Sequence, residues 1–120
     1  MIYRELYTQT SRAEPMSYLC KKTDVPENAV VRVAVAGRKP LAVCNVAGAF
    51  YATDDRCSHG DALLSAGMVE GHLIVCPLHF GSFDIRTGAA VDPPCSREIA
   101  VYPVTVEGDE LWLAIAPDEG

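Results

Sequence analysis

Hydrophobic residues in this chain occur in short runs that are rich in valine and other β-branched residues. Glycine, proline and aspartate separate the runs, which is typical of β-strands joined by tight turns. The pattern predicts six strands, each four to eight residues long: 29–36, 41–46, 50–53, 72–76, 99–106 and 111–115.

Turn residues indicate how neighbouring strands connect. The pair Gly108-Asp109 lies between the segments VTVE and ELWL and predicts a tight hairpin. Pro103 has no backbone N–H to donate, so it predicts a sheet edge or a bulge within the 99–106 segment. The segment 62–68 has room for one helical turn, and Gly67 interrupts it. The predicted fold class is therefore all-β, a small sandwich or barrel of hairpins.

The length of the chain, 120 residues, corresponds to one domain. Residues 1–16 are polar and lack a period, so we interpret them as an N-terminal extension followed by a single domain over 17–120. Within that domain, the region of about 56–94 is loop-rich and contains all three histidines. Metal-binding chemistry is therefore expected in this region.

The charge balance disfavours some classes of function. The net charge is −6, and an acidic surface repels nucleic-acid phosphates but suits docking to a basic patch on a partner protein. No apolar run reaches the roughly 18 residues of a membrane span, and the start of the chain lacks the apolar core of a secretory signal. We therefore expect a cytoplasmic protein without nucleic-acid or membrane partners, whose five cysteines bind metal or pack in the core.

Two short residue pairs in this loop-rich region are candidate metal ligands. Cys57 and His59 form the first pair, and Cys76 and His79 form the second. Sixteen residues separate His59 from Cys76, and the segment 68–76 is predicted to form a hairpin that brings the two loops face to face. The four side chains are therefore expected to form one site.

The mixed pairing distinguishes between kinds of metal site. Zinc fingers of the Cys2His2 type pair cysteine with cysteine and histidine with histidine, so this arrangement argues against zinc. A cluster of two irons can take one cysteine and one histidine from each loop, with the cysteines on the inner iron and the histidines on the outer one. Two neutral imidazoles in place of two thiolates raise the reduction potential relative to an all-cysteine cluster.

The motif Cys57-x-His59, followed after sixteen residues by Cys76-Pro77-x-His79, resembles the Rieske iron–sulfur signature. The wider run DRCSHGDALLSAGMVEGHLIVCPLHFGSFDIRTG is similar to the ferredoxin components of bacterial aromatic-ring-hydroxylating dioxygenases. The segments PPCSREIAVYPV and VEGDELWL also resemble that family, so the similarity extends over nearly the whole chain.

The resemblance implies a Rieske fold, in which an antiparallel β-sandwich base bears a small cluster-binding subdomain. It implies one Rieske-type 2Fe–2S cluster, with both histidines bound through Nδ and the cluster edge near solvent. It also implies a carrier that takes electrons from an NAD(P)H-dependent flavoprotein reductase and passes them to a terminal ring-hydroxylating oxygenase in aromatic compound degradation.

Alternatives to an electron carrier follow from the same residues. An oxygenase needs a 2-His-1-carboxylate iron site, and the chain has only three histidines, of which the cluster takes two, so we expect no enzymatic activity. A nitrite reductase small subunit, which shares the fold, and a non-redox module with structural zinc stay open. The aromatic substrate is not encoded here, because its pocket belongs to the oxygenase.

Departures from the respiratory members of the superfamily imply a low reduction potential. Those proteins carry a disulfide over the cluster, and Leu78 stands at one of its positions here. They also carry a serine and a tyrosine that donate hydrogen bonds to cluster sulfurs, and alignment of the second loop puts Gly81 and Phe83 at those positions. Neither side chain can donate a hydrogen bond.

Remaining residues are interpreted as structural or as surface. His72 is expected on the surface rather than in the site, and Trp112 is expected to pack against the core or an edge. The cysteines outside the motif, Cys20, Cys44 and Cys95, are expected to be structural. Apolar side chains near the ligand loops are expected to form a docking patch: Leu64, Phe80, Pro93 and Pro94. Acidic side chains are expected to surround it: Asp54, Asp55, Asp61, Glu70, Asp84 and Asp92.

Overall fold

A computed structural model describes residues 16–58, 60–78 and 80–114 of the chain. These ranges contain eleven β-strands, two 3₁₀ turns and no α-helix, which confirms the predicted all-β class. No helix in them is long and apolar enough to cross a membrane. The strands are β1 (Ser17–Lys21), β2 (Val30–Val33), β3 (Leu41–Val46), β4 (Ala49–Asp54), β5 (Met68–Glu70), β6 (Leu73–Val75), β7 (Ser82–Asp84), β8 (Ala90–Asp92), β9 (Val101–Tyr102), β10 (Val104–Glu107) and β11 (Glu110–Leu113).

The strands form three antiparallel sheets. The first has the order β1-β11-β10, the second β2-β3-β4-β9, and the third β5-β6-β7-β8. The third sheet spans residues 68–92 and carries one of the two predicted ligand loops, residues 76–81 between β6 and β7.

Strand β3 lies at the centre of the molecule, and all six of its residues are buried. Side chains alternate between the two faces of a strand. Leu41 and Val43 pack in one hydrophobic cluster with Leu111 of the first sheet. Ala42 and Cys44 pack in a second cluster, which includes residues of the third sheet. Burial on both faces therefore explains why β3 is apolar at every position except Asn45.

The predicted hairpin at Gly108-Asp109 is confirmed. Strands β10 and β11 pair in register with Glu107 opposite Glu110, and Gly108 adopts a left-handed conformation with φ of +59°. Pro103 divides the segment predicted as one strand over 99–106, so that β9 joins the second sheet and β10 joins the first. Proline therefore marks the point at which the chain passes between sheets.

Other strand boundaries differ from the prediction. The strand predicted over 29–36 ends at Val33, and strands β1, β7 and β8 were not assigned from the sequence. The helical turn considered for 62–68 exists as a 3₁₀ turn at Leu64–Ala66 and ends at Gly67. Residues 1–15 of the predicted extension, and Ile115 of the last predicted strand, lie outside the described residues.

Candidate metal centre

The first ligand loop follows β4 and presents Cys57 to the interior. The backbone N–H of Cys57 donates to the carbonyl of Ala62 at 2.9 Å, and the N–H of Gly60 donates to the carbonyl of Cys57 at 3.3 Å. A bridge between Arg56 and Leu63 closes the base of the loop. These bonds fold the loop back on itself, and Cys57 is buried in the core.

A buried carboxylate anchors the start of this loop. Asp55, whose side chain is 3% exposed, accepts hydrogen bonds from the backbone N–H of Ser65 at 2.7 Å and from its hydroxyl at 2.9 Å. It also forms an ion pair with Arg32 at 3.4 Å, and its carbonyl accepts from the N–H of Leu64 at 2.6 Å. Asp55 therefore holds the start of the loop against Leu64 and Ser65 at its end. The prediction that Asp55 belongs to an exposed acidic rim is wrong, because its side chain is buried.

The second ligand loop joins β6 to β7 and presents Cys76. Its ends are held by the pairing of Val75 with Ser82, and the N–H of Cys76 donates to the carbonyl of Gly81 at 2.7 Å. Cys76 is fully buried at the point where β6 ends. The segment 68–76 forms the β5–β6 hairpin that the sequence predicts.

The two loops bring Cys57 and Cys76 into one buried core cluster. Burial raises the pKa of the Cys76 thiol, the backbone N–H of Leu78 opposes this, and the neighbouring Cys57 raises the pKa further. Two buried thiolates side by side need a positive partner, and ferric iron supplies one. The pair of converging soft donors therefore fits the inner iron of a 2Fe–2S cluster.

The two predicted histidine ligands, His59 and His79, lie outside the described residues. His72 is described and is exposed, as predicted. Its ring packs edge-on against Tyr51 with centroids 6.2 Å apart, and its carbonyl accepts from the N–H of Ile85 at 2.8 Å.

A third sulfur lies beside the two loops, which the sequence did not indicate. Cys95 Sγ is 3.9 Å from Cys57 Sγ, and Cys95 is buried. Burial raises the pKa of the Cys95 thiol to about 12, with further contributions from Cys57, Cys76 and Asp92. Cys95 follows a Pro-Pro pair with no ligand-like spacing, so no local motif reports its place beside Cys57.

The remaining predicted structural residues behave as expected. Cys44 is fully buried on β3, and burial together with Asp55 raises the pKa of its thiol to about 12. Cys20 is half-buried, and burial raises the pKa of its thiol as well. Trp112 is half-buried and packs edge-on against Tyr18 with ring centroids 5.3 Å apart.

The apolar surface beside the ligand loops differs in one residue from the prediction. Phe80 is 73% exposed, and Pro93 and Pro94 are also exposed. Leu64 is fully buried, because the 3₁₀ turn that it begins directs it into the core, so its place in the predicted patch is wrong. Its neighbour Leu63 is exposed instead.

Several of the predicted acidic residues have partners within the chain. Asp54 accepts from the hydroxyl of Tyr102 at 2.7 Å, and Asp92 accepts from the hydroxyl of Ser82 at 2.6 Å. Asp84 forms an ion pair with Arg86 at 3.1 Å, and hydrogen bonds from Arg86 lower the pKa of its carboxyl. Two further acidic residues are exposed near the loops: Asp61, which pairs with Arg56, and Glu70.

Comparison with known proteins agrees with this architecture. The family described as the Rieske [2Fe-2S] domain matches residues 16–103. The ferredoxin component of the p-cumate 2,3-dioxygenase system of Pseudomonas putida is 45% identical over 98 residues, which cover 81% of this chain and 83% of that protein.

Solved structures of ferredoxins share the fold. The ferredoxin of Sphingomonas yanoikuyae B1 is 43% identical with a TM-score of 0.76, over 82% of this chain and 95% of that one. A chain from the complex of reduced oxygenase and oxidized ferredoxin in carbazole 1,9a-dioxygenase is 36% identical with a TM-score of 0.78, over 88% and 97% of the two chains.

These relatives are electron-transfer components of multicomponent systems rather than the catalysts in them. The family match spans most of the chain and includes both ligand loops, and the fold carries one Rieske-type 2Fe–2S cluster. The chain therefore belongs to the Rieske [2Fe–2S] family, among the ferredoxin components of aromatic dioxygenase systems.

Proposed function

We propose that Cys57, His59, Cys76 and His79 hold the cluster, with the cysteines on the inner iron and the histidines on the outer one. The observation that carries this assignment is the convergence of Cys57 and Cys76 from two separate loops into one buried sulfur pair. Each cysteine has its histidine two or three residues further along the same loop. The assignment thus takes one cysteine and one histidine from each loop.

When bound, the cluster takes up and releases one electron. The residues around it serve this exchange by holding the sulfur atoms in place, because each ligand cysteine has its backbone N–H bonded within its own loop. Burial of Cys57 and Cys76 keeps water from the inner sulfurs. Fixed ligands reduce the rearrangement that accompanies each change of charge.

The proposed partners are an NAD(P)H-dependent flavoprotein reductase as donor and a terminal ring-hydroxylating oxygenase as acceptor. Two observations support the oxygenase: a relative that is 45% identical is named as the ferredoxin component of a dioxygenase system, and a structural relative is found in a complex with an oxygenase. The reductase is proposed because an electron carrier needs a donor. We place this exchange in the cytoplasm, where NAD(P)H is available. No catalytic role is assigned to the chain itself.

The competing hypothesis of a nitrite reductase small subunit has weaker support. The relative with 45% identity is a ferredoxin of a dioxygenase system, and it covers 81% of this chain. A ferredoxin must also bind two partners in turn, and an exposed apolar residue such as Phe80 offers a surface for such temporary contacts.

The test is reconstitution of electron flow from NADH. The cluster-loaded protein is mixed with a flavoprotein reductase and a terminal oxygenase from an aromatic dioxygenase system, and product formation is followed with and without this chain. We expect turnover to require the chain and to rise with its concentration. Reduction of the cluster by the reductase with no transfer to any such oxygenase would contradict the proposal and favour the nitrite reductase alternative.

A further inference from the structure

Cys95 is a buried thiol that the proposed ligand set does not use. Its Sγ lies 3.9 Å from Cys57 Sγ, and both residues are almost fully buried, with exposed fractions of 6% and 2%. A thiol is a weak hydrogen-bond donor, and sulfur is a weak acceptor. The separation of the two sulfur atoms is within the range of an S–H···S hydrogen bond.

The backbone fixes Cys95 at this position. Its N–H donates to the carbonyl of Asp92 at 3.2 Å, and the carboxylate of Asp92 is itself held by the hydroxyl of Ser82 at 2.6 Å. Ser82 begins β7, directly after the second ligand loop. Cys95 is therefore attached to the same structural unit that carries Cys76.

Gly81 provides the space that Cys95 occupies. A Cβ atom at residue 81 would lie 2.5 Å from Cys95 Sγ and 3.0 Å from the carbonyl of Asp92, and real structures do not tolerate the first of these distances. A side chain at residue 81 would therefore displace the thiol. The thiol of Cys95 therefore fills the space that a side chain at residue 81 would need.

The direction of the hydrogen bond follows from the chemistry of the pair. A cysteine bound to iron has lost its proton, so Cys57 can only accept, and Cys95 is the residue that can donate. We propose that the Cys95 thiol donates a hydrogen bond to Cys57 Sγ and thereby raises the reduction potential of the cluster. This inference rests on the proposed assignment of Cys57 as a ligand.

The effect on the potential has a physical cause. Reduction adds one negative charge to the cluster, and part of that charge resides on the ligand sulfurs. A donor aimed at such a sulfur stabilises the reduced state more than the oxidised state, and hydrogen bonds to the sulfurs are one determinant of the potential. Burial strengthens the effect, because no water competes for the donor or screens the charge.

The first test compares the reduction potentials of two alanine variants by voltammetry. Cys95→Ala removes the donor, whereas Cys44→Ala removes the same atoms from another buried place in the same core cluster, on β3. We expect a shift to a more negative potential in Cys95→Ala only, with the visible absorption of the cluster retained in both variants. Cys95→Ser keeps a donor and should give a potential above that of Cys95→Ala.

Three results would overturn the inference. An unchanged reduction potential in cluster-loaded Cys95→Ala would show that Cys95 does not raise the potential. Equal shifts in Cys95→Ala and Cys44→Ala would indicate a general consequence of a core cavity. Loss of the cluster from both Cys95→Ala and Cys95→Ser, while Cys57→Ser retains it, would make Cys95 a ligand in place of Cys57, so that the ligand assignment itself fails.

A second measurement needs no substitution. Redox difference infrared spectra of the cluster-loaded wild-type protein report S–H stretching bands, which move to lower wavenumber as a hydrogen bond strengthens. We expect one such band to move in this direction on reduction, because the added charge makes Cys57 Sγ a better acceptor. The thiols of Cys20 and Cys44 should give no redox-dependent band. A spectrum without any such shift would overturn the inference even if the Cys95 variants fail to fold.

Discussion

At the scale of single residues, the proposed site depends on two cysteines that the fold brings together from separate loops. We expect Cys57→Ser and Cys76→Ser to abolish the visible absorption of the cluster. Both should also lower the thermal stability of the protein, because bound metal contributes free energy of folding. His72→Ala is the matched control, since His72 is an exposed histidine in the same region. Loss of the cluster from His72→Ala would contradict the ligand assignment.

Phe83 provides a second test at this scale. It is fully buried in the same core cluster as Cys57, Cys76 and Cys95. A Phe83→Tyr variant adds a hydroxyl donor to the core cluster that contains the proposed cysteine ligands, so the reduction potential should rise above that of the wild type. Phe50→Tyr is the control, because Phe50 packs in the other core cluster.

The potential of the unmodified protein is expected toward the low end of the Rieske range, which spans roughly −150 to +300 mV. The reason is that neither Gly81 nor Phe83 can donate a side-chain hydrogen bond, and a thiol such as Cys95 is a weaker donor than a hydroxyl. Voltammetry measures both this value and the effect of Phe83→Tyr. A wild-type potential in the upper half of the range, or no rise in Phe83→Tyr, would count against this explanation.

Local spacing makes candidate ligands visible in the sequence, whereas contacts that depend on tertiary structure are not visible there. Cys57 and Cys76 were found because each stands at a fixed spacing from a histidine. Cys95 was interpreted as structural, because nothing in its neighbourhood reports that it lies 3.9 Å from Cys57 Sγ. Leu64 was predicted to be exposed, because the 3₁₀ turn that buries it has no periodic pattern in the sequence. Asp55 was predicted to be exposed, because its hydrogen bonds to Ser65 arise only in the folded chain.

At the scale of structural elements, the first ligand loop depends on the bonds between Asp55 and Ser65. Ser65→Ala removes the hydroxyl that donates to the buried carboxylate at 2.9 Å. Hydrogen bonds to charged groups contribute about 1.5–3 kcal/mol, so the variant should lose roughly this much free energy of unfolding. Thermal unfolding of the cluster-loaded protein, followed by its visible absorption, should show a lower midpoint.

Thr23→Ala is the control for that prediction, because Thr23 is exposed in a separate 3₁₀ turn. It should leave the midpoint almost unchanged. If Ser65→Ala and Thr23→Ala behave alike, the Asp55–Ser65 contact does not stabilise the loop.

Strands differed in how well the sequence predicted them. The bounds of β3 were predicted correctly, because five of its six residues are apolar and turn residues flank it. The turn between β10 and β11 was also predicted correctly from Gly108-Asp109, although the bounds of the two strands differ from the prediction. Strands β7 and β8 were missed, since each has only three residues, SFD and AVD, which is too short for an alternating pattern. They form because β7 pairs with β6 of the preceding β5–β6 hairpin, and this pairing is not visible in the local sequence.

At the scale of the whole molecule, charge and exposed apolar surface determine how the protein meets its partners. A groove of about 170 Å³ opens beside the second ligand loop, lined in part by Met68, Val75, Pro77 and Phe80. Electron carriers that must dissociate quickly use small interfaces, below about 1,200 Å² in total. Phe80 and the apolar residues near it are therefore expected to form the contact, with the net charge of −6 promoting approach to a basic partner.

The rate of cluster reduction by the reductase is expected to fall as the salt concentration rises. Salt screens the attraction between an acidic carrier and a basic partner, with a Debye length near 8 Å at 0.15 M. Glu70→Gln and Asp61→Asn, which each remove one exposed negative charge near the loops, should reduce this dependence. Stopped-flow reduction at several salt concentrations measures the effect.

Glu110→Gln provides the matched control for the salt experiment, because Glu110 is exposed on β11 in the first sheet. Its salt dependence should resemble that of the wild type. A flat salt profile in the wild-type protein would exclude electrostatic steering and leave the cluster assignment intact.

The central claim is that one cysteine and one histidine from each of two loops hold a Rieske cluster. The most direct test is electron–nuclear double resonance of the reduced, cluster-loaded protein that contains ¹⁵N-labelled histidine. We predict couplings from two distinct histidine nitrogens to the reduced cluster, which His72→Ala leaves unchanged. A reduced cluster without strong histidine couplings, or with only one, would contradict the account.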